Sequence, residues 1–148
     1  MTERITKSMA KNIYYGGGLF ALLIFIGLSF DSVRQIPERS IETKMTESVV
    51  AGKHLWEKNN CVGCHTIIGE GAYFAPEMMN VFQRRGGGDE SAFKAYMRGW
   101  MAAQPLDIPH RRKMPQFNLS DGEVDSLSDF LIWTSKVNAN NWPPTIEG

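Results

Sequence analysis

An uncharged apolar run near the N-terminus constrains the fold of this chain more than any other feature. Residues 13–30 read IYYGGGLFALLIFIGLSF and lie between Lys11 and Asp31. As a helix the run would be about 27 Å long, close to the hydrocarbon thickness of a bilayer. A helix also satisfies its own backbone polar groups, as a bilayer requires. We therefore predict one transmembrane helix over 13–30.

A cleaved signal peptide is the main alternative for this run. Its basic start would be supplied by Arg4, Lys7 and Lys11. The apolar core of a signal peptide is usually only ~7–15 residues long and is followed by an A-x-A site, which this sequence lacks. We therefore expect a retained membrane anchor.

The charges that flank the run indicate its orientation. Three basic residues and one acid, Glu3, precede it, whereas charges of both signs follow it. The positive-inside bias then leaves residues 1–12 in the cytoplasm and sends the remainder across the bacterial inner membrane into the periplasm.

Gly16–Gly18 in the run would let another helix approach closely, so we expect a helical membrane partner. The alternative is that glycine is simply common in membrane helices.

Helical periodicity dominates the rest of the chain. After a polar linker over 31–45, which contains Pro37, we predict one all-α domain over 46–148. Its helices are expected over 46–60, from Pro76 to 85, over 90–103, and from a capping box formed by Ser120 and Glu123 onward. The segments between the helices are expected to be irregular, and the tail over 138–148, which contains Pro143 and Pro144, is expected to be extended. No strand is expected. Short helices give a thin core, so a bound group is expected to fill the middle.

Composition excludes some functions. Sixteen basic residues balance sixteen acidic ones, so the chain is a poor candidate for binding nucleic acid. Two cysteines exclude a scaffold with several disulfides.

The two cysteines belong to the sequence CVGCH at 61–65, which is the attachment signature of c-type haem. Each thiol of Cys61 and Cys64 would add across one haem vinyl group, and the adjacent His65 would reach the iron. A thioredoxin-type pair would need a βαβ pattern, and a zinc site would need two more ligands. A plain disulfide would leave His65 without a role. We therefore predict one covalently bound haem c.

The sixth iron ligand should come from later in the chain, and two residues are candidates. Met114 precedes Pro115 in a proline-rich loop, whereas His110 lies four residues earlier. A thioether ligand favours ferrous iron and raises the reduction potential. We favour Met114, with His110 or an open position as alternatives, and we assign Met78 and Met79 to packing.

Two charged groups have open interpretations. The basic run formed by Arg111, Arg112 and Lys113 would pair with haem propionates or a partner's acids, or would simply be solvated. Asp121, Asp125 and Asp129 recur every four residues, which is typical of a solvated helix face and would otherwise form a docking face.

Several stretches resemble a known family. GKHLWEKNNCVGCHT and KMPQFNLSDGEVDSLSDFL have the layout of a class I cytochrome c, in which the first and last helices cross near a small residue such as Gly52 and an aromatic such as Trp56. AKNIYYGG, NNCVGCHTIIGEGAYFAPE, RRKMPQFNLS and NWPP resemble the haem c-bearing small component of bacterial nitric oxide reductase. The resemblance covers nearly the whole chain.

This resemblance implies a class I cytochrome c-like domain on a single N-terminal transmembrane helix. Cys61 and Cys64 would attach the haem, and His65 and Met114 would be its axial ligands. It also implies an interface calcium held partly by backbone oxygens, which would map to Gly71 and Tyr73.

The resemblance further implies an electron relay without catalytic residues of its own. The catalytic membrane subunit would hold haem b, a high-spin haem and non-haem iron, and would reduce nitric oxide to nitrous oxide. A soluble cytochrome c or a cupredoxin would donate the electrons. The alternatives are a relay subunit of another haem–copper oxidase and a membrane-tethered haem sensor.

Overall fold

The computed structural model describes residues 5–39, 45–107 and 113–145. The chain divides into two compact units, 1–38 and 39–148. Secondary structure in the second unit is mostly helical, as the all-α prediction requires.

The described part of the first unit forms one long helix, α1, at Lys7–Arg39. It is the one helix within the described ranges that is long and apolar enough to cross a membrane, with a mean hydropathy of 1.9 over its most apolar window. None of that window is buried. The membrane limits of 13–30 within this helix stay a prediction.

The helix α1 continues well into the segment that was expected to be a linker. Residues 31–36 contain neither glycine nor proline, and the Gln35 amide donates to Asp31 at 2.6 Å, one helical turn back. Ser32 donates to the Leu28 carbonyl at 2.8 Å. Pro37 lies in the last turn, where its missing N–H interrupts the helix only just before it ends.

Within the described residues the second unit contains four helices, and side chains cap three of their N-termini. Helix α2 begins after Thr46, whose hydroxyl accepts from the Val49 N–H at 3.3 Å. Asp89 caps α4, and Ser120 and Glu123 form the predicted capping box of α5. The helices are α2 (Glu47–Lys58), α3 (Val81–Gly86), α4 (Glu90–Ala102) and α5 (Asp121–Thr134).

Helices α2 and α5 cross at Gly52, as the class I layout implies. A Cβ atom at Gly52 would lie 2.0 Å from the Ser126 carbonyl oxygen and 2.8 Å from the Phe130 Cβ. Only a residue without a side chain permits this approach. Trp56 lies one turn further along α2 and packs on Phe130, with ring centroids 6.2 Å apart.

Apolar faces of all four helices meet in one core. Phe93 of α4 and Leu131 of α5 are fully buried at its centre. The other buried members include Val49, Trp56, Val81, Phe82, Met97, Met101, Val124, Leu127, Phe130 and Ile132.

Two of the three aspartates in the row on α5 bond to neighbouring helices of the same domain. Asp125 accepts from the Arg98 Nε of α4 at 2.9 Å. Asp129 lies 2.6 Å from the Lys94 ammonium and accepts from the Ser48 hydroxyl of α2 at 2.6 Å. This face therefore stabilises the packing of α2, α4 and α5.

Two local predictions were wrong. The helix expected from Pro76 begins only at Val81, because backbone groups before it are bonded elsewhere: the Met78 N–H donates to the Thr66 carbonyl at 2.9 Å. A short antiparallel ladder also occurs where no strand was expected, between β1 (Thr66–Ile67) and β2 (Glu70–Gly71).

The C-terminal tail also differs from the extended segment that was expected. It turns at Asn140 and Asn141, which both have positive φ angles. The Trp142 N–H donates to the Ala139 carbonyl at 3.1 Å and closes this turn.

Candidate haem site

The predicted attachment motif forms a tight turn after α2. Asn60 adopts a left-handed conformation, and a 3-10 turn follows at Cys61–Gly63. The Cys61 carbonyl accepts from the Cys64 N–H at 3.1 Å and from the His65 N–H at 2.9 Å. The motif is therefore folded into one compact turn by its own backbone. Both cysteines are half-buried.

Burial raises the pKa of the Cys61 thiol to about 11. The thiol is therefore neutral at physiological pH. A thioredoxin-type pair depends on a cysteine with a lowered pKa, so this environment does not suit dithiol redox chemistry.

A backbone carbonyl fixes the orientation of the His65 ring. His65 Nδ1 lies 2.8 Å from the Pro76 carbonyl oxygen, which has no hydrogen to give, so Nδ1 carries the proton and donates. This leaves Nε2 with its lone pair, as a metal-binding imidazole requires. The Trp56 ring lies beside the imidazole at a centroid distance of 6.1 Å.

A cavity of about 460 Å³ opens beside this turn. Cys61, Cys64, His65 and Met114 all line it, so the structure brings together the four side chains that were predicted to hold a haem. Most of the remaining lining is apolar or aromatic. It includes Trp56, Phe74, Met78, Val81, Tyr96, Met97, Trp100, Met101, Phe117, Leu119, Leu127 and Leu131.

The residues present fit a haem. Two thiols on one turn match covalent attachment, and an imidazole and a thioether lining the same cavity match axial ligation. The apolar lining suits a macrocycle, and the volume lies within the range of cofactor pockets.

Basic groups line part of the same cavity. Arg84 and Arg85 at the end of α3 contribute, as does Lys113 beside Met114. Arg85 also lies over the Tyr96 ring, 5.8 Å from its centroid, and Tyr96 stacks on Trp100. These cations suit the carboxylates of a haem better than an uncharged ligand.

Met114 lies in a segment that is attached to the end of α4. Gln116, two residues on, bonds there twice, from its N–H to the Pro105 carbonyl and from its amide to the Ala102 carbonyl, both at 3.1 Å. The alternative ligand His110, together with Arg111 and Arg112, lies outside the described residues.

The two residues expected to hold calcium lie on the short hairpin and just after it. Gly71 has a φ of +118°, and a Cβ there would approach the His65 carbonyl oxygen to 2.3 Å. Tyr73 is 74% exposed, and its hydroxyl donates to the Gly69 carbonyl at 3.4 Å. In the described ranges no three His, Cys, Asp or Glu side chains converge on a metal position, so a cation at this hairpin would depend on backbone oxygens.

Sequence reasoning missed the groups that support the motif. The Pro76 carbonyl has no side-chain signal that could have identified it. The sequence predicts only that Arg84 belongs to a helix, and the spacing of residues along that helix does not reveal that Arg84 lines the cavity.

Comparison with known proteins agrees with this geometry. The family model for cytochrome c matches residues 49–135, which include the attachment motif, Met114 and the described helices of the second unit except the first two residues of α2. The fold and the site thus define the second unit as a cytochrome c domain, and such a domain carries haem c.

Full-length relatives narrow this class. The C-subunit of nitric oxide reductase from Stutzerimonas stutzeri is 57% identical over the whole of both chains. The proteins of the same name from Paracoccus denitrificans and Cereibacter sphaeroides are 49% and 46% identical, again over their full lengths. The chain belongs to the family of nitric oxide reductase C-subunits.

Proposed function

We propose that this chain is the electron-transfer subunit of a nitric oxide reductase. It takes electrons from a soluble periplasmic cytochrome c or cupredoxin and passes them to a catalytic membrane subunit that reduces nitric oxide to nitrous oxide. One observation carries the proposal: the same apolar cavity is lined by two thiols, an imidazole and a thioether. Relatives named as the C-subunit of nitric oxide reductase, at 46–57% identity, support the choice of enzyme.

The cavity residues have distinct roles in this proposal. Cys61 and Cys64 would hold one haem c by thioether bonds, while His65 and Met114 would supply the two axial ligands of its iron. Bound haem c supplies a reversible one-electron couple. The thioether of Met114 favours the ferrous state, and the hydrogen bond from His65 Nδ1 to the Pro76 carbonyl keeps the imidazole aligned.

With His65 and Met114 as its two iron ligands, this chain would be a relay and not the catalyst. Nitric oxide would need an open coordination position on iron, and these two ligands would leave none. The reaction therefore belongs to the partner subunit, for which we propose haem b, a high-spin haem and non-haem iron.

The long helix α1 supports a membrane-anchored arrangement. We propose that residues 13–30 cross the inner membrane, that 1–12 are cytoplasmic, that 31–45 form the connection and that 46–148 form the periplasmic haem domain. The excess of basic residues before the apolar run supports this orientation.

We also propose a calcium ion at the interface with the partner, bound by the backbone oxygens of Gly71 and Tyr73. Calcium accepts backbone carbonyls as ligands, and both residues are exposed. The partner would supply the remaining ligands. Chelator treatment of the complex should then release calcium and loosen the two subunits without removing haem c.

Purification in detergent tests the whole proposal. The full chain should retain a peroxidase-active pigment on a denaturing gel, because the haem is covalently bound. It should co-purify with a subunit that holds non-haem iron and should support reduction of nitric oxide to nitrous oxide.

Other outcomes would overturn the proposal in specific ways. A partner that contains copper would indicate a haem–copper oxidase. Binding of carbon monoxide to the isolated chain without displacement of Met114 would indicate an open iron, as in a sensor. A gel without covalent pigment would refute the haem assignment itself.

A further inference from the structure

Glu77 is a buried acidic residue that the relay function leaves unexplained. It is only 7% exposed, yet it lies in a segment that forms no regular secondary structure. Both of its carboxylate oxygens accept backbone hydrogen bonds. Oε1 accepts from the Ile68 N–H at 3.2 Å, and Oε2 accepts from the Met79 N–H at 2.8 Å. A buried carboxylate with two backbone donors is a costly arrangement that fixes both partners in place.

The first partner is held in a conformation that it would not adopt by preference. Ile68 is β-branched and has a φ of +53° in the turn between β1 and β2. Such a left-handed conformation is strained for a β-branched residue and persists only where surrounding contacts enforce it. The bond from the Ile68 N–H to Glu77 is such a contact.

The second partner, the Met79 N–H, lies in the segment that leads into α3. Met79 follows Glu77 by two residues, and between them the Met78 N–H donates to the Thr66 carbonyl at 2.9 Å. Arg84 of α3 also donates to the Glu77 main-chain carbonyl. The Glu77 carboxylate therefore ties the segment 77–79 to the hairpin, while the main-chain carbonyl of Glu77 ties the same segment to α3.

The hydrogen bond that orients His65 joins the same two segments as the Glu77 carboxylate. His65 immediately precedes β1, and Pro76 immediately precedes Glu77. The 2.8 Å bond from His65 Nδ1 to the Pro76 carbonyl spans the two segments that the Glu77 carboxylate joins. Releasing the carboxylate would let Pro76 move relative to His65.

We propose that Glu77 is a positioning residue that fixes the Pro76 carbonyl against His65 and thereby sets the donor strength of the imidazole and the reduction potential of the haem. This inference rests on the proposed function, because it takes His65 as an iron ligand. A hydrogen bond to Nδ1–H makes an imidazole a stronger donor and favours ferric iron. Weakening that bond therefore raises the potential.

Three variants of the full chain, purified in detergent with its partner, test the proposal. Glu77→Gln removes the charge and one of the two acceptors. Glu77→Asp keeps the charge but is one methylene shorter, so it cannot reach both N–H groups. Glu70→Gln is the matched control, because it removes the same charge from an exposed side chain of the same hairpin.

Two readouts separate positioning from a general effect on stability. One is the midpoint potential of the covalently bound haem. The other is the rate at which the His65 Nδ1 proton exchanges with solvent, followed by proton NMR. We expect both Glu77 variants to raise the potential and to speed the exchange about fivefold, as the loss of one hydrogen bond would. Glu70→Gln should leave the exchange rate unchanged.

Equal exchange rates in Glu77→Asp and the unsubstituted chain would overturn the proposal, as would equal potentials in Glu77→Gln and Glu70→Gln. If Glu77→Gln does not accumulate with haem, Glu77→Asp alone decides through the exchange rate. An unsubstituted chain without a low-spin haem ligated by histidine would instead refute the proposed function, whatever the Glu77 variants do.

Discussion

Among single residues, we expect Met114 to have the strongest influence on what the bound haem can do. Met114 lines the same cavity as His65, and a thioether is a soft ligand that stabilises ferrous iron. As the proposed axial ligand, Met114 would also close the iron to small molecules. Reduction potential and substrate exclusion would then depend on one side chain, in a segment that Gln116 attaches to the end of α4.

Met114→Ala should change the midpoint potential of the haem without affecting its covalent attachment. The haem should stay covalently bound through Cys61 and Cys64, because neither thioether bond involves residue 114. The midpoint potential should fall by a sizeable part of the roughly 0.8 V range that axial ligands span. Redox titration and the rate of nitric oxide reduction by the complex measure the two effects.

Met79→Leu is the control for this substitution. Met79 is 4% exposed but is not among the residues that line the cavity, so its loss should leave the potential unchanged. An unaltered spectrum and potential in Met114→Ala would assign the sixth position to another group.

Whether the role of a single residue could be predicted from the sequence depended on whether that residue acts through its side chain. The CVGCH motif could be predicted because five adjacent residues contain the whole attachment geometry. Met114 could be predicted to face the haem cavity because a proline follows it in a stiff loop. The Pro76 carbonyl and the Glu77 contacts could not, since a backbone oxygen has no sequence signature and the partners of Glu77 are set by the fold.

At the level of helices, the crossing of α2 and α5 depends on Gly52. Gly52→Ala would place a methyl group 2.0 Å from the Ser126 carbonyl oxygen, a backbone atom that cannot turn aside. We expect the free energy of unfolding to fall by about 1–3 kcal/mol, as for other overpacked contacts. Equilibrium denaturation of the haem-loaded chain measures the loss.

Gly99→Ala provides the matched comparison for this helix contact. Gly99 lies in α4, and a Cβ there would meet nothing within 4 Å. Because alanine is the better helix former, this variant should gain about 0.5–1 kcal/mol. Equal losses in the two variants would mean that an added methyl group is destabilising even where it meets nothing, so the close approach at Gly52 would not be the cause.

The ion pair between α4 and α5 should make stability depend on pH. The hydrogen bond from Arg98 holds the pKa of Asp125 below its ordinary value of 3.8. A lowered pKa stabilises the folded state above pH 3.8, and this stabilisation disappears as the pH falls through the folded-state pKa. Asp125→Asn should therefore lower the denaturation midpoint at neutral pH and have no effect in strong acid.

Arg98→Gln checks that the pair itself is responsible. It should reproduce the loss at neutral pH, and the double variant should be no worse than either single one. Additive losses would show that the two side chains act independently.

Helix limits were predictable where the signal was local. The capping box of Ser120 and Glu123 located the start of α5, and the glycines after residue 85 located the end of α3. The predicted start of α3 was wrong because the Met78 N–H donates to the Thr66 carbonyl of the hairpin, a long-range contact that periodicity does not register. The ladder of β1 and β2 is too short to give an alternating pattern.

For the whole molecule, function requires two units to work with a partner. One unit is a long helix whose most apolar window has no buried residue, and the other is a cytochrome c domain with its own core. Their division was predictable from the contrast between the uncharged run and the mixed sequence after it. The extent of α1 was not, because a polar sequence without glycine or proline is equally compatible with a linker and with a continued helix.

The anchor should contribute to assembly through its glycines. Gly17 and Ala21 are four residues apart and therefore share a face of α1, and the space around Gly17 is open within this chain. A partner helix could approach closely there. Gly17→Leu should then reduce the amount of catalytic partner that co-purifies severalfold, while the covalent haem per chain stays constant.

Gly27→Leu decides whether this is a property of one face. Gly27 lies ten residues further along, which is about 2.8 turns, so it points to a different side of the helix, and it too has open space around it. It should leave co-purification intact because added bulk on a lipid-facing side has no partner to displace. Equal losses from both substitutions would mean that the anchor is sensitive to bulk on any side. If both variants retain the partner, the two proteins make their contact through the haem domain and not through the anchor. Removal of calcium should then reduce co-purification more than either substitution in the anchor does.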